Sequence, residues 1–375
     1  MLSSGGVLVD SMLAGCGSQA QQTGSTTSGN SVAEAKQLVK QAESQNATFE
    51  PPGPGFDASK ARGKTAWWIT ILGIPFVTPI LQGIKEGFDS VGAKVVAFDG
   101  KAQVAEYSRG IQQAIGQNAD LIFVASLEGS LFKADFDKAK SLGIPVVMYE
   151  NHDPGGVGSD EPPGVVAETN QCHQCAGKIM ADFAIADSGG KGHMVVFWSA
   201  DIPGIGQPQV DGITNEFKRL CPGCQVTVKD VPIAQWQTLL PTLTQSTLTS
   251  DPSVNYLLPL YDGMVLYMLP AVHAANAQKR VKIVSFNVTP AVMQAMAKSD
   301  VVAADCGTDP IRLGWACADQ LLRVMSGVQP VPDIKLPIKL FTRDNVGGLD
   351  LSNISPAWFG PVDYRSEYKK LWGVK

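Results

Sequence analysis

The chain has 375 residues, 44% hydrophobic side chains and a formal charge of −5. A mildly acidic surface without long charge runs argues against nucleic acid as a partner, because such binding needs cations that replace phosphate counterions. Beyond the N-terminus no stretch approaches the ~20 apolar residues of a membrane span, and the length is ample for two globular lobes.

At the N-terminus, Leu13-Ala14-Gly15-Cys16 has the small-residue pattern that ends in a lipid-modified cysteine, so lipidation is expected at Cys16 and everything after it outside the cytoplasm. Acyl chains on that thiol would anchor the protein, at about 0.8 kcal/mol per buried methylene. The preceding stretch lacks Lys and Arg and is short for a complete signal peptide, which points to a misassigned start with a basic region upstream. The alternative is an ordinary cysteine in a disordered terminus. Residues 1–16 are therefore read as a lipoprotein signal. Residues 17–62 are read as a flexible tether with one short helix, Ser31 to Ser44, since the Ser/Thr/Gln/Gly run after Cys16 has no large apolar side chain.

From Lys64 onward, short β-branched or aromatic runs alternate with amphipathic stretches, the pattern of βαβ units. Strands are predicted over Thr65 to Leu72, Lys94 to Phe98, Leu121 to Ala125, Pro145 to Tyr149 and Gly164 to Glu168, with helices over Pro79 to Val91, Glu106 to Gly116 and Leu131 to Leu142. A second series follows, with strands over His193 to Trp198, Gln225 to Val228, Val254 to Pro259, Lys282 to Phe286 and Val301 to Ala304. Its helices are Pro208 to Leu220, Trp236 to Ser250, Gly263 to Ala277 and Pro290 to Lys298. A helix from Pro310 to Met325 and an extended segment from Ile334 to Leu340 complete the pattern. So many strands divide into two doubly wound α/β lobes with parallel sheets, whose ligands sit beyond the carboxyl ends of the strands.

Apart from Cys16 there are six cysteines: Cys172, Cys175, Cys221, Cys224, Cys306 and Cys317. Outside the cytoplasm they are expected to be largely oxidised. Cys221 and Cys224 bracket a Pro-Gly turn that favours a local bridge, and Cys172 with Cys175 fits the same reading more weakly; a four-thiolate zinc site and a redox Cys-x-x-Cys are the competing readings. His152, His193 and His273 show no metal spacing. Enzyme motifs are missing: no Gly-x-Ser-x-Gly elbow, no Walker loop, no His-Glu-x-x-His helix. The glycine-rich run Ser188 to Gly192 precedes a strand, whereas a phosphate cradle opens a helix. No catalytic, metal or cofactor site is expected.

The motifs Gly73-Ile74-Pro75-Phe76, Gln82-Gly83, Gly87-Phe88, Leu142-Gly143-Ile144-Pro145-Val146-Val147, Phe286-Asn287 and Asp309-Pro310 leading to Gly314 occur in an order and spacing that resemble the type I periplasmic solute-binding proteins of the ribose and sugar-binding family. The resemblance covers Gly63 to Phe341. It implies two lobes joined by three crossings near Glu168 to Asn170, Cys306 to Asp309 and Lys335 to Pro337. Residues 63–169 with 309–334 would form the N-terminal lobe, and 170–308 with 335–343 the C-terminal lobe. A C-terminal extension, 344–375, would pack back on a lobe. The implied role is a monomeric receptor of an ABC importer that captures a small sugar or polyol by hinge closure and docks on a membrane permease. A disulfide at Cys306 would stiffen that hinge.

The same resemblance assigns the ligand site to Ile74, Phe76, Glu150, Asn151, Asp211, Trp236, Tyr261, Asp262, Asn287, Thr308 and Asp309. Phe76 stands where a ring stacks on a sugar face. Glu150 keeps the acid at the end of the fourth strand, whereas Asn151 and Asp211 stand where arginines are common. Tyr261-Asp262 replaces an asparagine–aspartate pair, and Asn287 replaces an aspartate. A site with fewer cations and more aromatic rings also suits a less polar aromatic or alicyclic solute, and its acids disfavour an anion. Each residue has a plainer reading: Phe76 as core, Trp67 and Trp68 as sheet packing, Asp262 as a helix cap. A sensor partner for a membrane kinase is a further alternative to import. A transcription repressor of this fold is disfavoured, because residues 17–60 offer one helix rather than a DNA-binding pair.

Overall fold

The structure, a computed structural model, describes residues 24–45, 48–299 and 301–374. Cys16 and the expected signal segment lie outside the described residues. Two sheets form the frame. The N-terminal sheet contains β1 (Thr65–Thr70), β2 (Lys94–Asp99), β3 (Leu121–Ala125), β4 (Val146–Tyr149) and β5 (Val165–Thr169), in the order β2-β1-β3-β4-β5 and wholly parallel. The C-terminal sheet contains β6 (His193–Trp198), β7 (Gln225–Asp230), β8 (Tyr256–Pro259), β9 (Lys282–Phe286), β10 (Val302–Gly307) and β11 (Lys339–Thr342). Its order is β11-β10-β9-β8-β6-β7, with β11 alone antiparallel. β3 reads Leu-Ile-Phe-Val-Ala and is buried at every position, as a central parallel strand covered on both faces must be.

Helices α2 (Val77–Val91), α3 (Val104–Gly116) and α4 (Lys133–Ser141) cover the first sheet; α5 (His173–Ser188), α6 (Pro203–Leu220), α7 (Trp236–Ser250), α8 (Asp262–Ala274) and α9 (Pro290–Lys298) cover the second. In α2 the residues Ile80, Ile84, Phe88 and Val91 recur at helical spacing and are buried, and Gly92 ends the helix in the left-handed region at φ 76°. Against α2 lies α10 (Pro310–Met325), which begins with Asp309 accepting the Ile311 and Arg312 amides and Pro310 in its first turn. The two helices touch through Gly83 and Gly314: a Cβ on Gly83 would sit 2.1 Å from the Ile311 carbonyl oxygen. These glycines serve helix packing.

The chain leaves β5 for α5 on the second lobe, returns from β10 to α10 on the first, and comes back through residues 326–338 to β11. Helix α1 (Gly24–Glu43) begins inside the stretch expected to be a flexible tether and buries Ala35 and Ala42 in the C-terminal lobe. Residues 48–62 are likewise ordered, because Phe49, Phe56, Ala58 and Ala61 find apolar partners in the N-terminal lobe. At the other end, α11 (Arg343–Val346) and residues to Phe359 pack on the C-terminal lobe, and α12 (Tyr364–Leu371) packs on the N-terminal lobe. The C-terminal extension therefore seats on both lobes rather than one.

Local bridges join Cys172 to Cys175 and Cys221 to Cys224. Cys306 and Cys317 are free thiols, each buried in the core of a different lobe, so no disulfide stiffens the hinge at Cys306.

Candidate functional site

Each predicted site residue but one lies at or just beyond the carboxyl end of a strand, where loops of the two lobes converge. In the N-terminal lobe, Ile74 is exposed in the loop after β1. Phe76 is half-buried at the start of α2 and packs on the lobe core. After β4, Glu150 takes a left-handed backbone with φ 56° and is buried. One carboxylate oxygen accepts the Gln171 amide at 3.1 Å, and the other pairs with His173 Nε2 at the start of α5 on the opposite lobe. Burial alone would depress the His173 imidazole, but the charge and hydrogen bond of Glu150, together with the Asp153 charge, raise it. The ring meets Phe286 edge-on at 5.6 Å.

Asn151 is tied inside its own lobe, donating to the Leu127 carbonyl and to Glu161 Oε1 at 2.9 Å. Its carbonyl faces Gly204 at the start of α6, where a Cβ would come within 1.6 Å. Only glycine lets the two lobes meet there. His152 is gripped between Glu168 at 2.9 Å and Asp160 at 3.0 Å, which lift it to about 9. Among the described residues, His152, Glu161 and Glu168 form the group whose ligand atoms are close enough, within 4.8 Å, to hold a metal ion. His152 spends both ring nitrogens on carboxylates instead.

In the C-terminal lobe, Trp236 opens α7, stacks on Tyr261 at 6.1 Å and donates its indole N–H to Ser199 Oγ at 3.0 Å and the Val231 carbonyl at 3.1 Å. The Tyr261 hydroxyl has no protein partner and is raised by burial and by the Glu150 charge. Asp262 does not cap α8. Its carboxylate turns to Ser285 Oγ at 2.7 Å and to the Thr289 amide and hydroxyl at 2.6 Å. Burial raises it to about 6 despite those bonds, and the adjacent Asp305, fully buried, is raised well above the carboxylate range by burial and then by the Asp262 charge. Asn287 and Val288, beyond β9, hold φ of 126° and 53°, a region that non-glycine residues rarely enter.

Thr308 and Asp309 occupy the second crossing. Thr308 donates to Gln171 Oε1 at 2.6 Å, linking two crossings, and Asp309 is consumed as the α10 cap. Asp211 is the exception. The sequence reading began this helix at Pro208, near Asp211, but Pro203 is its first residue and Pro208 lies inside α6. Asp211 therefore falls in mid-helix, accepting from Gln207 at 2.9 Å on the same face.

A family model described as a periplasmic binding protein domain matches residues 66–329. The chain belongs to that family. No curated protein sequence matches it. Solved structures share the fold at low identity. One is a 5-methylthioribose transporter solute-binding protein from Thermotoga lettingae, 17% identical with a TM-score of 0.70, covering 84% of this chain and 98% of that one. Another is an Agrobacterium vitis solute-binding protein with bound allitol, 21% identical with a TM-score of 0.65, covering 76% and 97%. A third, the Caulobacter myo-inositol binding protein, is 22% identical with a TM-score of 0.63, covering 76% and 96%.

In this periplasmic binding protein several residues escaped the sequence reading: His173, Ser199, Gln171 and Gln209. Gln209 is fully buried and donates to the Leu260 carbonyl at 3.2 Å, with its own carbonyl oxygen unpartnered; the His173 Nδ1 atom, also buried, is unpartnered too. No spacing signal marks them, since each acts through an element distant in sequence. Among the described residues no helix is long and apolar enough to cross a membrane.

Proposed function

We propose that the protein is an extracytoplasmic receptor of an ABC importer that captures a small neutral sugar or polyol between its lobes. The observation that carries this reading is the state of the acids at the strand ends. Glu150 is neutralised by His173 across the hinge, Asp262 is saturated by hydroxyl and amide donors, and no lysine or arginine stands among the residues placed there. A site without a free cation or a free carboxylate suits a neutral ligand that brings its own hydroxyls. The structurally similar proteins that carry 5-methylthioribose, allitol and myo-inositol support the same ligand class. Left-handed backbone at Ser126, Glu150, Asn287 and Val288, all at strand ends, adds the local strain that functional sites commonly store. Binding would draw Ile74, Phe76 and Asn151 on one side toward Trp236, Tyr261 and Asn287 on the other, favouring the closed state by differential affinity.

A second reading, a less polar aromatic or alicyclic ligand, is favoured by the stacked pair Trp236 and Tyr261. A thermal-shift screen of the full chain against pentoses, hexoses, polyols and small aromatic solutes separates the two. A ligand at a hundred times its dissociation constant stabilises by about 2.7 kcal/mol. Hits among sugars and polyols support the first reading, hits confined to aromatic solutes support the second, and silence in both classes rejects both and turns to a signalling partner. Lipid attachment at Cys16 and docking of a monomer on a permease belong to the same proposal. Detergent-phase partitioning that is abolished by Cys16→Ser supports the anchor, and unchanged partitioning rejects it.

A further inference from the structure

Both described terminal segments run from the C-terminal lobe to the N-terminal lobe and are clasped there by one helix, α10. At the N-terminal end, α1 is seated on the C-terminal lobe by Ala35 and Ala42, by the Glu34–Arg219 ion pair, and by Glu43 accepting from Thr342 Oγ1 at 2.8 Å. The chain reappears at Thr48 on the other lobe. There the buried Arg312 donates to the Thr48 carbonyl at 2.9 Å and lies 5.9 Å from the Phe49 ring. One turn series later, the buried Arg323 donates to the Pro54 carbonyl at 3.1 Å and lies 4.6 Å over the Phe56 ring.

The C-terminal end repeats the arrangement. Trp358 and Phe359 are buried in the C-terminal lobe, where Phe359 meets Phe341 at 5.4 Å and Lys339 donates to the Trp358 carbonyl at 2.9 Å. After the connector Gly360-Pro361-Val362-Asp363, Tyr364, Tyr368 and Trp372 are buried in the N-terminal lobe. Trp372 stacks on Trp315 of α10 at 5.4 Å with the planes 6° apart, and donates to Asp319 Oδ1 at 2.7 Å, the same carboxylate that pairs with Arg323. The two ends are joined to each other. Phe56 and Ala58 donate their amides to the Leu371 and Trp372 carbonyls at 2.8 and 3.1 Å, and Phe49 meets Tyr368 edge-on at 5.0 Å.

We propose that these terminal segments are straps that limit how far the cleft opens, so that the lobes are linked by five chain crossings instead of three. The four-residue connector after Phe359 spans at most about 18 Å when fully extended, so the seats of Phe359 and Tyr364 cannot separate beyond that without unseating an aromatic cluster. A receptor so restrained samples open forms close to the closed one, which raises the fraction of molecules competent to bind. The inference concerns the lobes alone and does not depend on which ligand the cleft takes.

The test compares the native strap with a severed one. Spin labels are placed on exposed helices of the two lobes through Gln113→Cys and Gln245→Cys in a chain carrying Cys16→Ser, and a second chain of this kind also carries a protease recognition sequence inserted at the exposed Pro361. Cys306 and Cys317 are buried and stay unlabelled. Interlobe distances are measured by pulsed dipolar spectroscopy without ligand, in the labelled chain with its native connector and in the inserted chain after cleavage. A narrow distribution that gains longer distances after the cut, with the α12 fragment still bound on size exclusion, supports the strap. A distribution unchanged by cutting overturns it, and so does a fragment that simply dissociates, because its seat on α10 would then be too weak to restrain anything. Failure of every ligand in the thermal-shift screen would leave this outcome untouched.

Discussion

Glu150 at the end of β4 and His173 at the start of α5 form a buried ion pair that joins the two lobes across the hinge. The carboxylate that the family resemblance assigned to the ligand is thereby engaged by the protein itself. His173→Gln would leave Glu150 buried without its cation, and breaking such a pair costs about 3 kcal/mol or more. The imidazole is raised above its ordinary 6.5, so its contribution is complete below that value and is lost as pH rises through the raised one. Urea unfolding should therefore show a wild-type advantage over His173→Gln that is largest in mild acid and shrinks toward alkaline pH. An advantage independent of pH would mean that the ring acts by packing alone.

Asp262 and Asp305 are two buried acids side by side, and both are raised, Asp262 to about 6 from an ordinary 3.8. Protonation is favoured in the native state, so their contribution is full below the ordinary value and is lost as pH rises through the raised one. Asp305→Asn removes the acid that must keep its proton. The variant should lose less stability than the wild type between about pH 5 and about pH 8, by about 1 kcal/mol or more. Equal losses in denaturant titrations at the two pH values would contradict a shared proton.

Trp236 joins the proposed ligand wall to the C-terminal lobe through Tyr261, Ser199 and Val231. Trp236→Phe keeps the ring stack and loses the indole hydrogen bonds, at about 1 kcal/mol of stability. Trp236→Ala also loses the apolar surface, at about 3 kcal/mol. If Trp236 contacts ligand, the alanine variant should weaken binding of any hit from the screen far more than the phenylalanine variant does, as read by calorimetry. Equal binding by both would confine Trp236 to a structural role.

Alkylation under native, non-reducing conditions should modify neither Cys306 nor Cys317, since burial raises both thiols and encloses them. In denaturant without reductant both should react, and Cys172, Cys175, Cys221 and Cys224 should not, as peptide mass spectrometry would show. Each local bridge closes a short loop worth about 2 kcal/mol at most in the chain-entropy picture, so reduction should lower the melting temperature without unfolding the protein.

The order of strands and helices and the division into two α/β lobes were legible from Lys64 onward. Continuous β-branched and aromatic runs such as Thr65–Thr70 and helical stripes such as Ile80, Ile84 and Phe88 are local, and a resemblance in motif order covered the rest. The Cys221–Cys224 bridge was legible for the same reason, as a turn closes it. What only the tertiary structure decided are relations between residues far apart in the chain. Glu150 meets His173 because two strand ends converge at a hinge. Asp211 falls in mid-helix because α6 starts one proline earlier, a choice that Pro203 and Pro208 make equally well by propensity alone. The terminal segments, without strong periodicity of their own, are ordered by Arg312, Arg323 and Trp315 of α10, three side chains whose partners lie at the two ends of the sequence. Local pattern specifies an element's type and its buried face; which distant element covers that face is determined by packing of the whole chain.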